Sequence, residues 1–261
     1  MELISSKENK QVKQLKKLSS SASYRRQEGL FLAEGLRLCT DALKSGAQVK
    51  SAFFSETFSK RNPDFVQVAR REAQSAAMLK DSIFSAVSDT KTPQGVLFVI
   101  KTLDKTIDFD KMKDNGKVLA LENIQDPVNL GTILRSAEAL GVDAVVLTRG
   151  CCDVYSPKVT RGSMGAVFRL RLSVTDHLPA LIHMFNETGT SYAAALDKSA
   201  CLLPECDFSG KVMAVVGNEG NGITTETISA CHHKLYIPMS GGAESLNVSA
   251  AASILIWEMT K

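Results

Sequence analysis

The chain has 261 residues, 44% hydrophobic and 23% charged, with a formal net charge of +3. That is room for one large domain or an ordinary one beside a small one, and the composition excludes disordered, fibrous and disulfide-dense classes. No apolar run approaches the roughly 20 residues that span a bilayer, and the opening MELISSKENKQ has no signal-peptide core, so a cytoplasmic protein with no membrane contact is expected.

Residues 8–18 are expected to form a short amphipathic helix, with Val12, Leu15 and Leu18 on one side and lysines elsewhere. The charge here is lopsided: Lys7, Lys10, Lys13, Lys16, Lys17, Arg25 and Arg26 face the single acid Glu8. Such a basic run fits either a polyanion partner or a solvated helix face. A turn is expected over 19–23 and a strand over 30–32. A helix follows from Glu34 to Lys44, stopped by Gly46. Next come a strand at 49–54, a helix around 65–77, a short α/β step through 83–87 and an apolar strand at 95–100. This alternation predicts a small α/β domain over residues 1–100.

Residues 101–116, KTLDKTIDFDKMKDNG, are charged and weakly patterned, and are expected to be a linker. From 117 to 261 short apolar runs recur at 118–121, 144–147, 192–195, 212–216 and 235–237, with helical patterns between most of them. Strands apolar on both faces indicate a parallel sheet covered on both sides. The last run meets Pro238, and Gly241-Gly242 permit a turn. Beyond Val248 the chain is almost uncharged until Glu258, which reads as a buried helix.

In open α/β sheets, ligands bind beyond the carboxyl ends of the strands. After the run at 118–121, Asp126-Pro127 leads into a helix expected over 130–140, with Asn129 as its cap and Arg135 near its start. An arginine beside a helix N-terminus suits an anion. The alternative is a cap and a salt bridge to Glu138 or Glu122. After 212–216, Gly217-Asn218-Glu219-Gly220-Asn221-Gly222 permits close backbone approach but does not fit GxGxxG, which disfavours a dinucleotide enzyme. Lys158, Arg161 and Arg169 lie in SPKVTRGSMGAVFRL, which suits backbone packing or phosphate contact. The six cysteines match no disulfide or zinc spacing. Cys231-His232-His233 are adjacent residues that a regular element points apart, so no metal is expected.

Three motifs, DPVNLGTILRSA at 126–137, VVGNEGNGI at 215–223 and IPMSGGAESLNVSAA at 237–251, together resemble the SpoU (TrmH-like) branch of the SPOUT RNA methyltransferases. The N-terminal RRQEGLFLAEGLRLCTDAL is similar to the L30e-like substrate-binding domain that many members carry. The resemblance covers nearly the whole chain, more weakly over 50–115. It implies a C-terminal parallel-sheet SPOUT domain with a deep trefoil knot, which composition and periodicity do not predict. It also implies S-adenosylmethionine-dependent methylation of a ribose 2′-hydroxyl in RNA, ribosomal rather than transfer RNA, by a homodimer. Carried over by position, Gly217, Gly220, Gly222, Ile237, Met239 and Leu246 would hold the cofactor. Arg135, Asn129, Glu219, Ser245 and Asn247 would form the catalytic set, with Glu219 orienting Arg135 or a neighbouring loop. Lys13, Lys17, Arg25, Arg26 and Arg37 would contact RNA phosphates. The apolar last helix, ending near Trp257, is expected at the dimer interface or in the core.

A ribose hydroxyl is a poor nucleophile that must be oriented and must lose its proton as the methyl moves. Guanidinium groups stay protonated in water, so Arg135 would stabilise the developing alkoxide or, if strongly perturbed, act as base. A non-catalytic RNA-binding or ribosome-assembly protein on the same scaffold is the alternative, and it would lack affinity for S-adenosylmethionine.

Overall fold

The computed structural model describes residues 1–103, 106–197 and 200–261. Asp104 and Lys105, inside the expected linker, lie outside the described residues. The chain divides into two compact units, Met1–Leu103 with Tyr155–Phe168, and Asp104–Val154 with Arg169–Lys261.

The first unit contains β1 (Glu2–Ile4), α1 (Lys10–Ser20), α2 (Ala22–Glu28), β2 (Leu30–Glu34), α3 (Leu36–Lys44), β3 (Val49–Ser55), α4 (Glu56–Arg61), α5 (Pro63–Glu72), β4 (Ser75–Leu79), α6 (Asp81–Val87) and β5 (Val96–Lys101). Its five strands lie in the order β1-β4-β3-β5-β2. β5 runs antiparallel to β2 and β3, while β3, β4 and β1 are mutually parallel. The apolar stripe of α1 (Val12, Leu15, Leu18) packs into a core with Phe53, Phe84 and Leu97. Burying each such side chain stabilises the fold by about 1.5–3 kcal/mol relative to exposure. Two expectations are corrected here. The helix expected over 65–77 ends at Glu72, and 75–79 is a strand instead. Arg25 is buried, its guanidinium donating to the carbonyls of Leu18 (2.6 Å) and Ser19 (3.1 Å) at the end of α1. It satisfies orphan helix carbonyls and is removed from the phosphate-facing set.

The second unit begins with β6 (Lys117–Leu121), α7 (Pro127–Ala139) and β7 (Ala144–Thr148). The chain continues through α8 (Pro157–Gly162) and α9 (Ala166–Arg169), most of which is grouped with the first unit, where the ring of Phe31 meets Tyr155 at 4.7 Å and Phe168 at 6.0 Å. Then follow β8 (Arg171–Thr175), α10 (Leu178–Asn186), β9 (Thr190–Ala194), β10 (Cys201–Leu202), β11 (Val212–Val216), α11 (Thr225–Ala230), β12 (His233–Tyr236) and α12 (Val248–Thr260). Seven strands form one sheet in the order β10-β12-β9-β11-β6-β7-β8, every pairing parallel. All five residues of central β11 are buried, as the doubly apolar pattern requires.

α12 is buried along Val248, Ala252, Leu255, Ile256 and Met259, with Ser253 hydrogen-bonded to Ser136 of α7 at 2.8 Å. It is not buried all round, since Ile254 is 42% and Trp257 59% exposed. The helix expected near 130–140 starts three residues earlier, at Pro127. Asp126 is its cap, accepting from the amide of Val128 at 2.7 Å, and Asn129 sits inside the first turn. Among the described residues, no helix is long and apolar enough to cross a membrane.

Candidate active site

Because every strand of the larger sheet runs the same way, the carboxyl ends of β9, β11 and β12 open on one edge. A cavity of about 360 Å³ lies there, within the usual range for small-ligand sites. Ala194 ends β9 and Ala195 follows it, Val216 ends β11 and Gly217 follows it, and Leu235 and Ile237 flank the end of β12. Met239, Glu244, Ser245, Leu246, Val248 and Ala251 close it from the last loop and the start of α12.

The loop after β11 is fixed by its own backbone. Asn218 and Gly222 exchange two main-chain hydrogen bonds, at 2.9 and 3.0 Å. The Asn218 side chain accepts from the amides of Gly220 (2.9 Å) and Asn221 (3.0 Å) and donates to the Asn123 carbonyl at 2.7 Å. A Cβ on Gly217 would stand 2.3 Å from the carbonyl carbon of Gly222, so only glycine allows this closure. The following turn is tied to the end of β6 by Glu122. This buried carboxylate accepts from the Thr224 amide (2.9 Å), the Thr224 hydroxyl (2.8 Å) and the Thr227 hydroxyl (2.8 Å).

One polar network joins all three loops. Asn247, which caps α12 by accepting from the amide of Ser249, donates its side-chain amide to the Asn129 side-chain oxygen at 3.1 Å. Asn129 donates in turn to Glu219 at 3.1 Å, and Glu219 also accepts from the amides of Gln125 and Asp126, both at 3.3 Å. Burial works to raise the Glu219 pKa, but these donors outweigh it and hold the carboxylate below its usual range. The Glu219 carboxylate is thus bonded to the loop before α7 and to Asn129, and among the described residues no bond links it to Arg135.

The structure gathers Gly217, Gly220, Gly222, Ile237, Met239 and Leu246 around the cavity, with Glu219 and Ser245 beside them. Asn129 and Asn247 stand behind, reached through Glu219. Arg135 does not line the cavity. It is exposed eight residues into α7, about 12 Å along the axis from Pro127, so the expectation of an arginine at the helix N-terminus is corrected. Among the described residues no acid pairs with it: Glu138 holds Arg169 at 2.6 Å, and Glu122 is taken by the two threonines. The salt-bridge reading of Arg135 is thereby removed. Arg161 pairs with Asp89 at 2.7 Å.

Sequence reasoning missed Asn123, Gln125, Asn218 and the Glu122–threonine tie. Thr224 three residues before Thr227 is a helix-start pattern that could have flagged that tie. Cys231 and Cys152 are poor nucleophiles: burial pushes the Cys231 thiol up to about 12, and burial with neighbouring negative groups does the same to Cys152. His232 accepts from the Ser191 amide at 3.4 Å, and the Ser191 hydroxyl accepts from the His232 amide at 3.1 Å.

An all-parallel sheet with a cavity of glycine backbone and apolar side chains at its carboxyl edge defines an α/β enzyme that binds a small cofactor. Residues 116–257 match the SpoU rRNA methylase family, and residues 9–97 match the MRM3-like substrate binding domain. The chain is 35% identical to the 23S rRNA (guanosine(2553)-2′-O)-methyltransferase RlmP of Bacillus subtilis, over 99% of each protein. It is 31% identical to an uncharacterized tRNA/rRNA methyltransferase of Synechocystis, over 98% of this chain and 92% of that one. Its fold is like that of an AdoMet-bound rRNA methyltransferase from Sinorhizobium meliloti, with a TM-score of 0.87 at 24% identity, covering 99% and 97% of the two chains. The chain belongs to the SpoU rRNA methylase family.

Proposed function

We propose that the protein transfers a methyl group from S-adenosylmethionine to a ribose 2′-hydroxyl of ribosomal RNA, in the cytoplasm and as a homodimer. The observation that carries the reading is the cavity bounded by the second and third motif loops and the end of β9, with the first motif bonded behind it through Asn129 and Glu219. The residues fit the cofactor: the main chain at Gly217 suits an adenine edge, Gly220 and Gly222 shape the loop beside it, and Ile237, Met239 and Leu246 cover an apolar body. When bound, S-adenosylmethionine supplies a methyl group on a cationic sulfur, which leaves as a neutral thioether without metal assistance.

The chain's own residues orient the acceptor. The Ser245 hydroxyl at the cavity wall would hydrogen-bond near the reacting oxygen, and the Asn247–Asn129–Glu219 network would hold the loops in register. Arg135 would stabilise the alkoxide and an adjacent phosphate as a fixed cation. It does so from outside the cavity wall, which favours a site completed on assembly of the dimer. Ile254 and Trp257, exposed on α12, support an interface there.

The knotted threading of the family belongs to this proposal. It is supported by the strand order, in which β9 separates β11 from β12 although these two follow each other in the chain. RNA phosphates would be met by Lys13, Lys17, Arg26 and Arg37, all exposed on the first unit. The deciding experiment incubates the protein with radiolabelled S-adenosylmethionine and ribosomal RNA, then hydrolyses the RNA in alkali. Label in an alkali-resistant dinucleotide supports ribose methylation. RNA binding with no label and no cofactor affinity would favour the scaffold protein.

A further inference from the structure

The first unit has a cavity of its own, unconnected with the chemistry above, of about 660 Å³. Its place follows from the sheet. β3 and β4 are parallel, and β2 and β3 both run antiparallel to β5. The carboxyl ends of β2, β3 and β4 therefore share one edge with the start of β5. The cavity is lined by residues at those four ends: Leu36 after β2, Ser55 at the end of β3 and Thr57 after it, Asp81 after β4, and Gln94-Gly95 before β5. This is the edge at which α/β sheets take ligands.

Its floor requires glycine at one point. Gly95 has φ +91°, and a Cβ there would lie 2.6 Å from the Ser55 hydroxyl and 2.7 Å from the Phe58 Cβ. Phe58, Phe84 and Pro93 make the remaining floor apolar.

The walls carry hydrogen-bonding groups, two of them amides with capacity to spare. The Gln94 side-chain oxygen accepts from the Leu36 amide at 2.7 Å, which leaves its NH2 group to donate. The Asn62 NH2 group donates to the Phe58 carbonyl at 3.3 Å, which leaves its oxygen to accept. Asp81 is fixed by Thr57, whose hydroxyl and amide donate at 2.6 and 3.1 Å, and these bonds hold its carboxyl below the usual range. Arg61 stands exposed at the mouth, as do Thr57, Ser85 and Gln94.

We propose that this cavity receives one unstacked nucleotide of the RNA substrate, its base against the apolar floor and its phosphate toward Arg61. The proposal rests on the reading of the protein as an RNA methyltransferase and adds a recognition point to it. An open mouth suits a group hung from a polymer better than a free metabolite, which a closed pocket would enclose. Amide and carboxylate groups on the walls match the donor and acceptor edges of a splayed base, and recognition of single-stranded RNA works through such edges. The cost of unstacking the base is a few kcal/mol, least for one already in a loop.

The test plugs the cavity without touching its network. Ser85 is exposed on α6, and its hydroxyl donates only to the Asp81 carbonyl one turn back at 3.0 Å. Ser85→Trp sets an indole across the mouth, while Ser85→Ala leaves it open. Binding of ribosomal RNA, thermal stability and S-adenosylmethionine affinity are measured for both variants and for the unaltered protein. The RNA dissociation constant should rise about tenfold in Ser85→Trp, the loss of one accommodated base. It should stay unchanged in Ser85→Ala, with stability and cofactor affinity unaltered in both. Ribosomal RNA carrying 4-thiouridine or 6-thioguanosine should photocrosslink to the unaltered protein within 55–62, 81–85 or 93–95. RNA binding unaffected by Ser85→Trp overturns the proposal, as do crosslinks confined to α1 and α2. So does a free mononucleotide that binds the cavity while RNA binding ignores the plug. An unaltered protein that binds no ribosomal RNA fails the underlying reading instead, and the proposal falls with it.

Discussion

Asn247 and Asn129, 118 residues apart in the chain, are joined side chain to side chain at 3.1 Å. That bond ties the start of the last helix to the first turn of α7, and Glu219 extends it to the glycine loop. The three loops are therefore held by a chain of bonds, a circuit through Asn129, which links the last loop to the glycine loop.

Asn129→Asp tests the circuit. It removes the amide that donates to Glu219 and sets a second carboxylate against it. Losing the partner of a part-buried group costs about 1–3 kcal/mol. The melting temperature should fall and S-adenosylmethionine binding should weaken, both measurable by differential scanning fluorimetry with and without cofactor. An unchanged cofactor-induced shift would show that the circuit does not shape the cavity.

Glu219 gives the circuit a pH dependence. Its pKa is depressed in the folded state, so its ionised form contributes stability above the unfolded value, and this contribution is lost as pH falls through the folded value. Glu219→Gln should flatten the acid limb of a plot of melting temperature against pH. A limb of the same slope in both proteins would place the acid sensitivity elsewhere.

Gly217 and Gly241 make a matched pair. A Cβ on Gly217 would meet backbone at 2.3 Å, whereas one on Gly241 meets nothing within 4 Å. Gly217→Ala should cost about 1–3 kcal/mol by overpacking and impair cofactor binding in calorimetry, while Gly241→Ala should leave both unchanged.

Much of this architecture is legible in the residues themselves. β6, β7, β9 and β11 announce themselves because a strand covered on both faces is largely apolar, whereas β12 reads HKLY and only its Leu235-Tyr236 end shows in the sequence. β8 escapes because it is an edge strand reading RLSVT, with only Leu172 fully buried. β4 reads SAAML, whose alanines favour helix, and tertiary pairing with β3 overrides that propensity. Arg25 looks like its basic neighbours, and only the fold shows that it closes the end of α1. The cavity residues were placed by motif position, but the circuit joining them was not legible, because hydrogen bonds spanning 90 residues leave no local pattern. The cap of α7 was misplaced because Asn129 and Asp126 are both good capping residues, and the Pro127 ring decides for Asp126.

Arg135 separates chemistry from binding. Arg135→Ala should lower methyl transfer about 10²–10³-fold, the usual loss of one transition-state donor, with the S-adenosylmethionine dissociation constant unchanged. Partial recovery in Arg135→Lys would mark charge as its contribution. Full activity in Arg135→Ala would remove it from the site.

We propose that the methyl donor lies among Gly217, Ile237 and Leu246 at the carboxyl edge of the parallel sheet. Crystals of the protein soaked in S-adenosylmethionine test it directly by locating the donor in difference density. The adenine should lie against the backbone at Gly217 and the loop at 237–246, with the methyl group turned toward Ser245. Density for the donor at any other place, with this cavity empty at saturating concentration, would contradict it.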